Sequence, residues 1–240
     1  MSGLRIEHLG EDALLLRLGE RIDPALNARV HALAAAIDAR RPGWLRDIVP
    51  AHASLALFVD VDMLDADDPH MEQTPLARAE DWLRAQGLSV DAGNAVPGEP
   101  EPAVIPIRYG GAFGPDLEAL AAAAGLDTEA AIALHAGGEY RVAMLGFAPG
   151  FPYLGGLDPR LAAPRRATPR VRVAAGSVGI GGTQTGIYPR QGPGGWNIIG
   201  RTPLRLFDPT RDAACLLAPG QRVRFRAIDD AGFERLEAAT

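Results

Sequence analysis

The segment from Arg141 to Asp208 constrains the fold of this 240-residue chain most, because glycine and proline are unusually dense within it. Glycine permits positive φ angles and close approach of the backbone, whereas proline fixes φ and has no N–H to donate. The same segment retains short runs of Val, Ile and Leu. It is therefore predicted to be a loop-rich β-barrel, a site built from backbone groups, or both.

The apolar runs from residue 171 onward recur at the spacing of strands in an antiparallel barrel or sandwich. They cover residues 171–175, 178–180, 196–199, 204–207, 215–217 and 223–228. A strand at 104–109 and two helices, at 117–124 and 128–135, are predicted before them, and a short helical tail is predicted after Gly232. We therefore predict one β-barrel domain over residues 104–240.

The first 90 residues predict a small α+β domain of the ferredoxin-like type. Strands and helices follow one another in the order ββαββα, over residues 4–9, 13–18, 24–40, 45–49, 55–61 and 75–87. Asp60 to Asp68 is predicted to be an acidic loop and not a cation site, because the EF-hand spacing is absent. Residues 91–103 alternate proline, glycine and acidic residues, which predicts a linker between the two domains.

The composition excludes several chemistries. All 24 basic residues are arginine, so neither a Schiff-base lysine nor a Walker-A lysine can exist. The single cysteine excludes an intramolecular disulfide, and scattered histidines give no zinc pattern, so no metal site is predicted. No signal-peptide pattern and no membrane-length apolar run occur, so we expect a cytoplasmic protein without membrane contact.

Charge is distributed unevenly along the chain. Residues 1–140 contain 23 acidic residues and 10 arginines, whereas residues 141–240 contain seven acidic residues and 14 arginines. Guanidinium groups match carboxylates and phosphates, so an arginine- and glycine-rich segment indicates an anion site. A nucleic-acid partner is not predicted, because the pI is about 5.4, aromatics are few and no binding motif occurs.

The glycine run 176–186 has two readings that the sequence leaves open. It loosely matches a nucleotide-binding loop, but no helix follows it and no lysine accompanies it. The remaining alternatives are tight barrel turns and an anion cradle of backbone N–H groups. Ser177 does not lie in a Gly-x-Ser-x-Gly nucleophile elbow.

Arginines next to proline or glycine are the stronger candidates, because stiff backbone holds a guanidinium ready for an anion or a developing oxyanion. His135 is read either as an acid–base group or as a cap of the preceding helix. The candidate catalytic residues are His135, Arg166, Arg170, Gln184 and Tyr188. The candidate substrate- or anion-binding residues are Gly146, Phe147, Pro149, Gly150, Phe151, Arg165, Gly176, Ser177, Gly194, Gly195, Trp196, Asn197 and Arg201.

Six ordered motifs in the second domain resemble one family. They are Gly146–Gly156 (GFAPGFPYLGG), Pro164–Arg166 with Pro169–Arg170, Ala175–Val178, Gln184–Pro189, Pro193–Trp196 and Gly200–Pro203. Together they closely resemble the 5-oxoprolinase B-subunit family, also called allophanate hydrolase subunit 1, which includes a sporulation-kinase inhibitor of bacilli.

This resemblance implies a cyclophilin-like barrel that pairs with a C subunit of related fold. With an A subunit, such proteins open 5-oxo-L-proline to L-glutamate and hydrolyse ATP, with or without Mg²⁺. No tightly bound prosthetic group is expected, and a single B subunit is expected to be inactive. The alternatives are a histidine-kinase inhibitor and a component of an allophanate- or urea-metabolising hydrolase.

Overall fold

The structure, a computed structural model, describes residues 4–67, 73–87 and 101–239. The chain forms two compact units, Met1–Glu99 and Pro100–Thr240. Most of the predicted linker, residues 91–100, lies outside the described residues, and its last residue already begins a strand. None of the described helices is both long and apolar enough to cross a bilayer.

The first unit is an antiparallel sheet with helices. Its elements are β1 (Arg5–His8), β2 (Ala13–Arg17), α1 (Pro24–Asp38), β3 (Leu45–Pro50), β4 (Ser54–Val59), α2 (Val61–Asp67) and α3 (Pro75–Ala85). The sheet order is β1-β2-β4-β3. Asp23 caps α1 by accepting a hydrogen bond from the Leu26 N–H, and Thr74 caps α3 in the same way. The predicted hairpin and both of these helix starts are confirmed.

Two predictions for this unit need correction. A ferredoxin-like fold has the order β-α-β-β-α-β. This unit instead starts with two strands, so the strand that ends the ferredoxin-like order comes first here. The predicted acidic loop contains helix α2, Val61–Asp67. The helix forms because the Asp60 carboxylate accepts a hydrogen bond from the Met63 N–H, 3.1 Å away, and so caps its first turn. Asp68 lies outside the described residues.

The second unit is built on a closed barrel with strand order β10-β7-β6-β13-β5-β12-β9. Its strands are β5 (Ala103–Tyr109), β6 (Tyr140–Leu145), β7 (Pro152–Gly155), β8 (Arg170–Val173), β9 (Ser177–Gly181), β10 (Gln184–Ile187), β11 (Gly192–Gly194), β12 (Asn197–Arg201) and β13 (Arg222–Ala227). Its helices are α4 (Leu117–Ala123), α5 (Thr128–Gly137) and α6 (Asp230–Glu237), with a 3-10 turn at Pro159–Leu161. Strands β8 and β11 form a separate two-stranded sheet.

The predicted α+β class with a barrel is confirmed, with three differences. The barrel is antiparallel except for the parallel pair β5–β13. The strands predicted at 204–207 and 215–217 are wrong, because they contribute only an isolated bridge between Phe207 and Cys215. Strands β7, β10 and β11 lie in glycine- and proline-rich stretches for which turns were expected. The cyclophilin-like name remains a prediction.

Candidate functional site

A cavity of about 310 Å³ lies among the family motifs of the second unit. Its walls come from the loop before β7, the segment before β8, and the strands and loops around β10 and β11. It is lined by Phe147, Phe151, Tyr153, Arg165, Arg166, Pro169, Tyr188, Pro193, Gly194, Gly195 and Trp196. Aromatic side chains therefore form much of the wall, and two arginines supply charge.

Phe151 is the centre of the aromatic wall. Its ring is almost completely buried and lies 4.8 Å from the Tyr153 ring and 5.2 Å from the Tyr188 ring, measured between centroids. The Trp196 ring meets it edge-on at 5.6 Å. Edge-to-face and tilted pairs at these distances stabilise one another, so the wall is a fixed surface.

Glycines give the large rings their space. A Cβ at Gly181 would lie 2.7 Å from the Trp196 indole, and one at Gly194 would overlap the Tyr188 ring. A Cβ at Gly186 would come within 3.1 Å of both Trp196 and Phe151. Residues 177–181 and 184–187, for which turns or a nucleotide loop were considered, are buried strands. Their glycines leave room for the aromatic rings that pack against these strands. The nucleotide-loop reading is wrong.

The loop before β7 places Phe147 at the cavity rim. Phe147 has a φ of 67°, the only positive φ among the described residues other than glycine, and 67% of its surface is exposed. The turn is closed by a hydrogen bond from the Gly146 N–H to the Phe151 carbonyl. Gly150 has a φ of 77° and packs so closely on Phe207 that a Cβ would lie 2.8 Å away. Gly146, Pro149 and Gly150 therefore shape this loop, whereas Phe147 and Phe151 line the cavity.

Asp116 holds two of the predicted arginines. Its Oδ1 accepts hydrogen bonds from Arg166 at 2.9 Å and from Arg170 at 2.8 Å. Its Oδ2 accepts a second bond from Arg170 and one from the Ile198 N–H, both at 2.7 Å. The Asp116 N–H also donates to the Ile198 carbonyl, so the loop before α4 is fixed to strand β12.

The electrostatics of this cluster leave a positive charge. Burial raises the pKa of Asp116, but the hydrogen bonds from Arg170 and Ile198 and the charges of both arginines outweigh it and lower the pKa overall. Asp116 is therefore ionised at neutral pH. One carboxylate faces two guanidinium groups, so the cluster carries a net charge of about +1 next to the cavity.

Arg165 is bound differently from these two arginines. Its guanidinium carbon lies 5.8 Å from the centroid of the Trp196 ring, a cation–π distance. Among the described residues, Arg165 forms no hydrogen bond and no ion pair. Burial raises the pKa of Tyr153 and of Tyr188, and the Arg165 charge opposes both shifts, which places that charge near both phenols.

The structure does not bring His135 to this cavity, and its prediction as a catalytic residue is corrected. The side chain is fully buried in the barrel, and its ring stacks on Phe225 with centroids 4.7 Å apart. The Thr185 hydroxyl donates its proton to the Gly179 carbonyl, so the hydroxyl oxygen accepts a hydrogen bond from His135 Nε2. His135 Nδ1 in turn accepts a hydrogen bond from the Tyr109 hydroxyl. Desolvation lowers the pKa of His135 to about 3, which keeps it neutral.

Five further predicted residues lie outside the cavity lining. Gln184 and Ser177 are buried in the barrel strands, and Gly176 makes the tight turn before β9 with a φ of 78°. Asn197 donates to the carbonyls of Pro164 and Ile180, which attaches the arginine segment to the barrel. Arg201 donates to the Ala175 carbonyl and lies over the Phe233 ring.

Sequence reasoning missed the role of Asp116. A helix was predicted from residue 117 and no function was assigned to Asp116, whose side chain makes no capping hydrogen bond there. An available signal was that the only acidic residue between Gly110 and Leu117 follows a rigid Gly-Pro pair. Among the described residues, no group of three His, Cys, Asp or Glu side chains could hold a metal ion.

A protein-family model described as "Carboxyltransferase domain, subdomain C and D" matches residues 4–217 of the chain. A curated relative from Bacillus subtilis (strain 168), named as the B subunit of 5-oxoprolinase, is 42% identical over 231 residues. The alignment covers 94% of this chain and 93% of the relative. The chain therefore belongs to the 5-oxoprolinase B-subunit family, as its motifs predicted.

Solved structures agree with this fold. The crystal structure of TTHA0988 has a TM-score of 0.75 and 39% sequence identity; the match covers 90% of this chain but 40% of that one. The K. lactis urea amidolyase has a TM-score of 0.71 with 19% identity; 98% of this chain and 15% of that one are covered. At that identity the likeness is one of fold alone.

Proposed function

We propose that this chain is the B subunit of an ATP-dependent 5-oxoprolinase that converts 5-oxo-L-proline to L-glutamate together with the A and C subunits. The observation that carries the proposal is its 42% identity, over almost the whole of both chains, to a protein of that name. The cavity supports it, because an arginine cluster with excess positive charge suits a substrate that carries a carboxylate.

ATP, with or without Mg²⁺, is proposed as a co-substrate of the assembled enzyme. The cavity of about 310 Å³ is at the lower end of the roughly 300–1,000 Å³ typical of small-molecule sites. Its walls are aromatic, and the chain has no lysine to hold phosphates. These residues fit a small organic acid better than a nucleoside triphosphate, so we assign no ATP-dependent step to this chain.

Reconstitution tests the proposal. The purified A and C subunits are mixed with this chain, 5-oxo-L-proline and ATP, and L-glutamate is measured. We expect turnover with all three proteins and none when this chain is left out or supplied alone. Equal glutamate formation with and without this chain would refute the proposal. Replacing 5-oxoproline by allophanate and measuring ammonium release instead of glutamate tests the alternative hydrolase.

A matched pair of arginine variants links this activity to the cavity. Arg170→Ala should lower turnover at least about 100-fold while leaving the assembly with the A and C subunits intact, because Arg170 makes two of the four hydrogen bonds to Asp116. Arg172→Ala is the control, since Arg172 lies exposed on the same strand and is not one of the arginines bound to Asp116. Equal turnover of the two variants would contradict the assignment.

A further inference from the structure

The three arginines near the cavity divide into two kinds. Arg166 and Arg170 are bound to Asp116, so much of their hydrogen-bonding capacity is used inside the protein. Arg165 contacts only the face of Trp196, and its guanidinium N–H groups make no hydrogen bond to described residues. A cation over an aromatic face keeps the edge of its plane available, and that edge is what a carboxylate binds.

The walls beside Arg165 are aromatic side chains that pack edge-to-face or tilted against one another. Phe151, Tyr153 and Tyr188 form a packed surface that continues into the Trp196 ring. A site of this kind binds a small ring by contact and orients it through a few polar groups. The single unpaired guanidinium favours one carboxylate over a phosphate, which needs more donors to satisfy its oxygens.

We propose that this cavity binds a small cyclic acid by its carboxylate, with Arg165 as the binding cation and Asp116 as a positioning residue for Arg166 and Arg170. This inference rests on the proposed function, because 5-oxoproline is a five-membered lactam with one carboxylate. It goes further by assigning substrate binding to this chain and to one arginine. Asp116 acts through the two arginines and does not touch the ligand.

Isothermal titration calorimetry on the full chain tests the ligand class. Three probes are used: 5-oxo-L-proline, 2-pyrrolidinone, which lacks the carboxylate, and inorganic phosphate. We expect 5-oxoproline to bind at least about tenfold more tightly than either of the other two, since it alone offers both a ring for the aromatic walls and a carboxylate for Arg165. Equal binding of pyrrolidinone, tighter binding of phosphate, or no binding of 5-oxoproline would each overturn the inference.

Variants then test the two roles. Arg165→Gln should weaken 5-oxoproline binding at least tenfold, and Arg165→Lys should restore part of it, whereas Arg172→Gln should bind like the wild type. Asp116→Asn should weaken binding although it adds positive charge, because Arg166 then loses its fixed position in the cavity wall, and Asp116→Glu should restore binding in part. Circular dichroism checks that each variant is folded. Wild-type affinity in Arg165→Gln would overturn the role of Arg165, and wild-type affinity in Asp116→Asn that of Asp116.

The outcomes separate this inference from the proposed function. If the reconstituted enzyme makes glutamate but the full chain does not bind 5-oxoproline, substrate binding belongs to one of the other two proteins, and only this inference fails. If the chain binds 5-oxoproline through Arg165 but adding it to the A and C subunits gives no turnover, the proposed function fails and the binding site stands.

Discussion

The carboxylate of Asp116 accepts four hydrogen bonds, three from Arg166 and Arg170 and one from the Ile198 N–H. A buried carboxylate with this many donors is held in its charged form, and the donors are held in turn. Arg166 lies between Pro164 and Pro169 in a segment with little regular structure, and Arg170 begins strand β8. Asp116 therefore supplies the tertiary contact that fixes their direction.

Asp116→Asn should lower the free energy of unfolding by about 2 kcal/mol at pH 7, the scale of a lost charged hydrogen bond. The folded-state pKa of Asp116 lies below its unfolded value, so its charge stabilises the fold above about pH 4. This contribution is lost as the pH falls through the folded pKa, so the two proteins should converge as the pH falls below the unfolded value of about 4. Urea unfolding at pH 7 and pH 3 measures the difference. A constant difference at both pH values would contradict the assignment.

His135 makes a second residue-scale prediction, because it is buried and neutral. Its ring faces the hydroxyls of Tyr109 and Thr185 and the Phe225 ring, and the Tyr140 hydroxyl donates to its backbone carbonyl. Both hydrogen-bond partners of the ring are uncharged hydroxyls. Its pKa is about 3 in the fold, because of desolvation, and about 6.5 when unfolded. Below about pH 6.5 the unfolded chain therefore takes up a proton that the folded chain does not, which destabilises the fold as the pH falls.

His135→Gln should remove this dependence. Between pH 6 and pH 4 the wild type should lose up to about 1.4 kcal/mol more per pH unit than the variant, although the variant is less stable at pH 7. Urea unfolding over this range gives the slopes. A His135→Gln variant with the wild-type slope would contradict the assignment, because it would show that His135 binds as many protons in the fold as in the unfolded chain.

At the scale of elements, glycine in β9 and β10 determines whether the aromatic wall can form. Gly181→Ala would place a methyl group 2.7 Å from the indole of Trp196, a rigid and buried ring that cannot swing away. We expect a loss of about 1–3 kcal/mol in unfolding free energy, typical of overpacking. Urea unfolding followed by tryptophan fluorescence measures it.

Gly192→Ala is the matched control for this change. Gly192 lies in strand β11, has no positive φ, and has no atom within 4 Å of the added methyl group. Its unfolding free energy should stay within about 0.5 kcal/mol of the wild type. Equal losses at Gly181 and Gly192 would mean that strand propensity, and not contact with Trp196, explains the glycines.

The glycines also show how far the sequence predicted the elements. Short apolar runs predicted β2, β4 and β13, and in the structure the two sides of each of these strands differ in burial. The apolar run 178–180 likewise predicted β9, but β10 is buried on both faces and its Gln, Thr and Gly give no apolar pattern. Only the tertiary contact with Trp196 explains why glycine occurs there, and a single sequence does not contain that contact.

The same limit applies to the site. Of the predicted site residues, Arg165, Arg166, Tyr188 and Trp196 line one cavity. Asn197 and Arg201 were predicted with them, but their side chains bond to backbone carbonyls instead. Asp116 lies 50 residues before Arg166 in sequence, and only the pairing of its loop with strand β12 brings them together. Pairing across such a distance has no local sequence signal.

At the scale of the whole molecule, each compact unit has its own core. The core of the first unit is formed by residues between Leu4 and Leu83, and the barrel core by residues between Ala103 and Phe225. The aromatic cluster of the cavity, from Ala148 to Ile198, belongs to the second unit as well. All residues that line the cavity, and Asp116 with its partners, lie within Pro100–Thr240.

We therefore predict that a fragment spanning residues 100–240 folds alone and keeps the cavity. Its 141 residues are enough for a single core, and strand β5 at its start pairs with both β13 and β12. The fragment should unfold cooperatively in urea and bind 5-oxo-L-proline within about threefold of the full chain, because no lining residue is removed. The fragment carrying Arg165→Gln is the control for specific binding. A folded fragment that binds 5-oxoproline at least tenfold more weakly than the full chain would show that Met1–Glu99 contributes to the site.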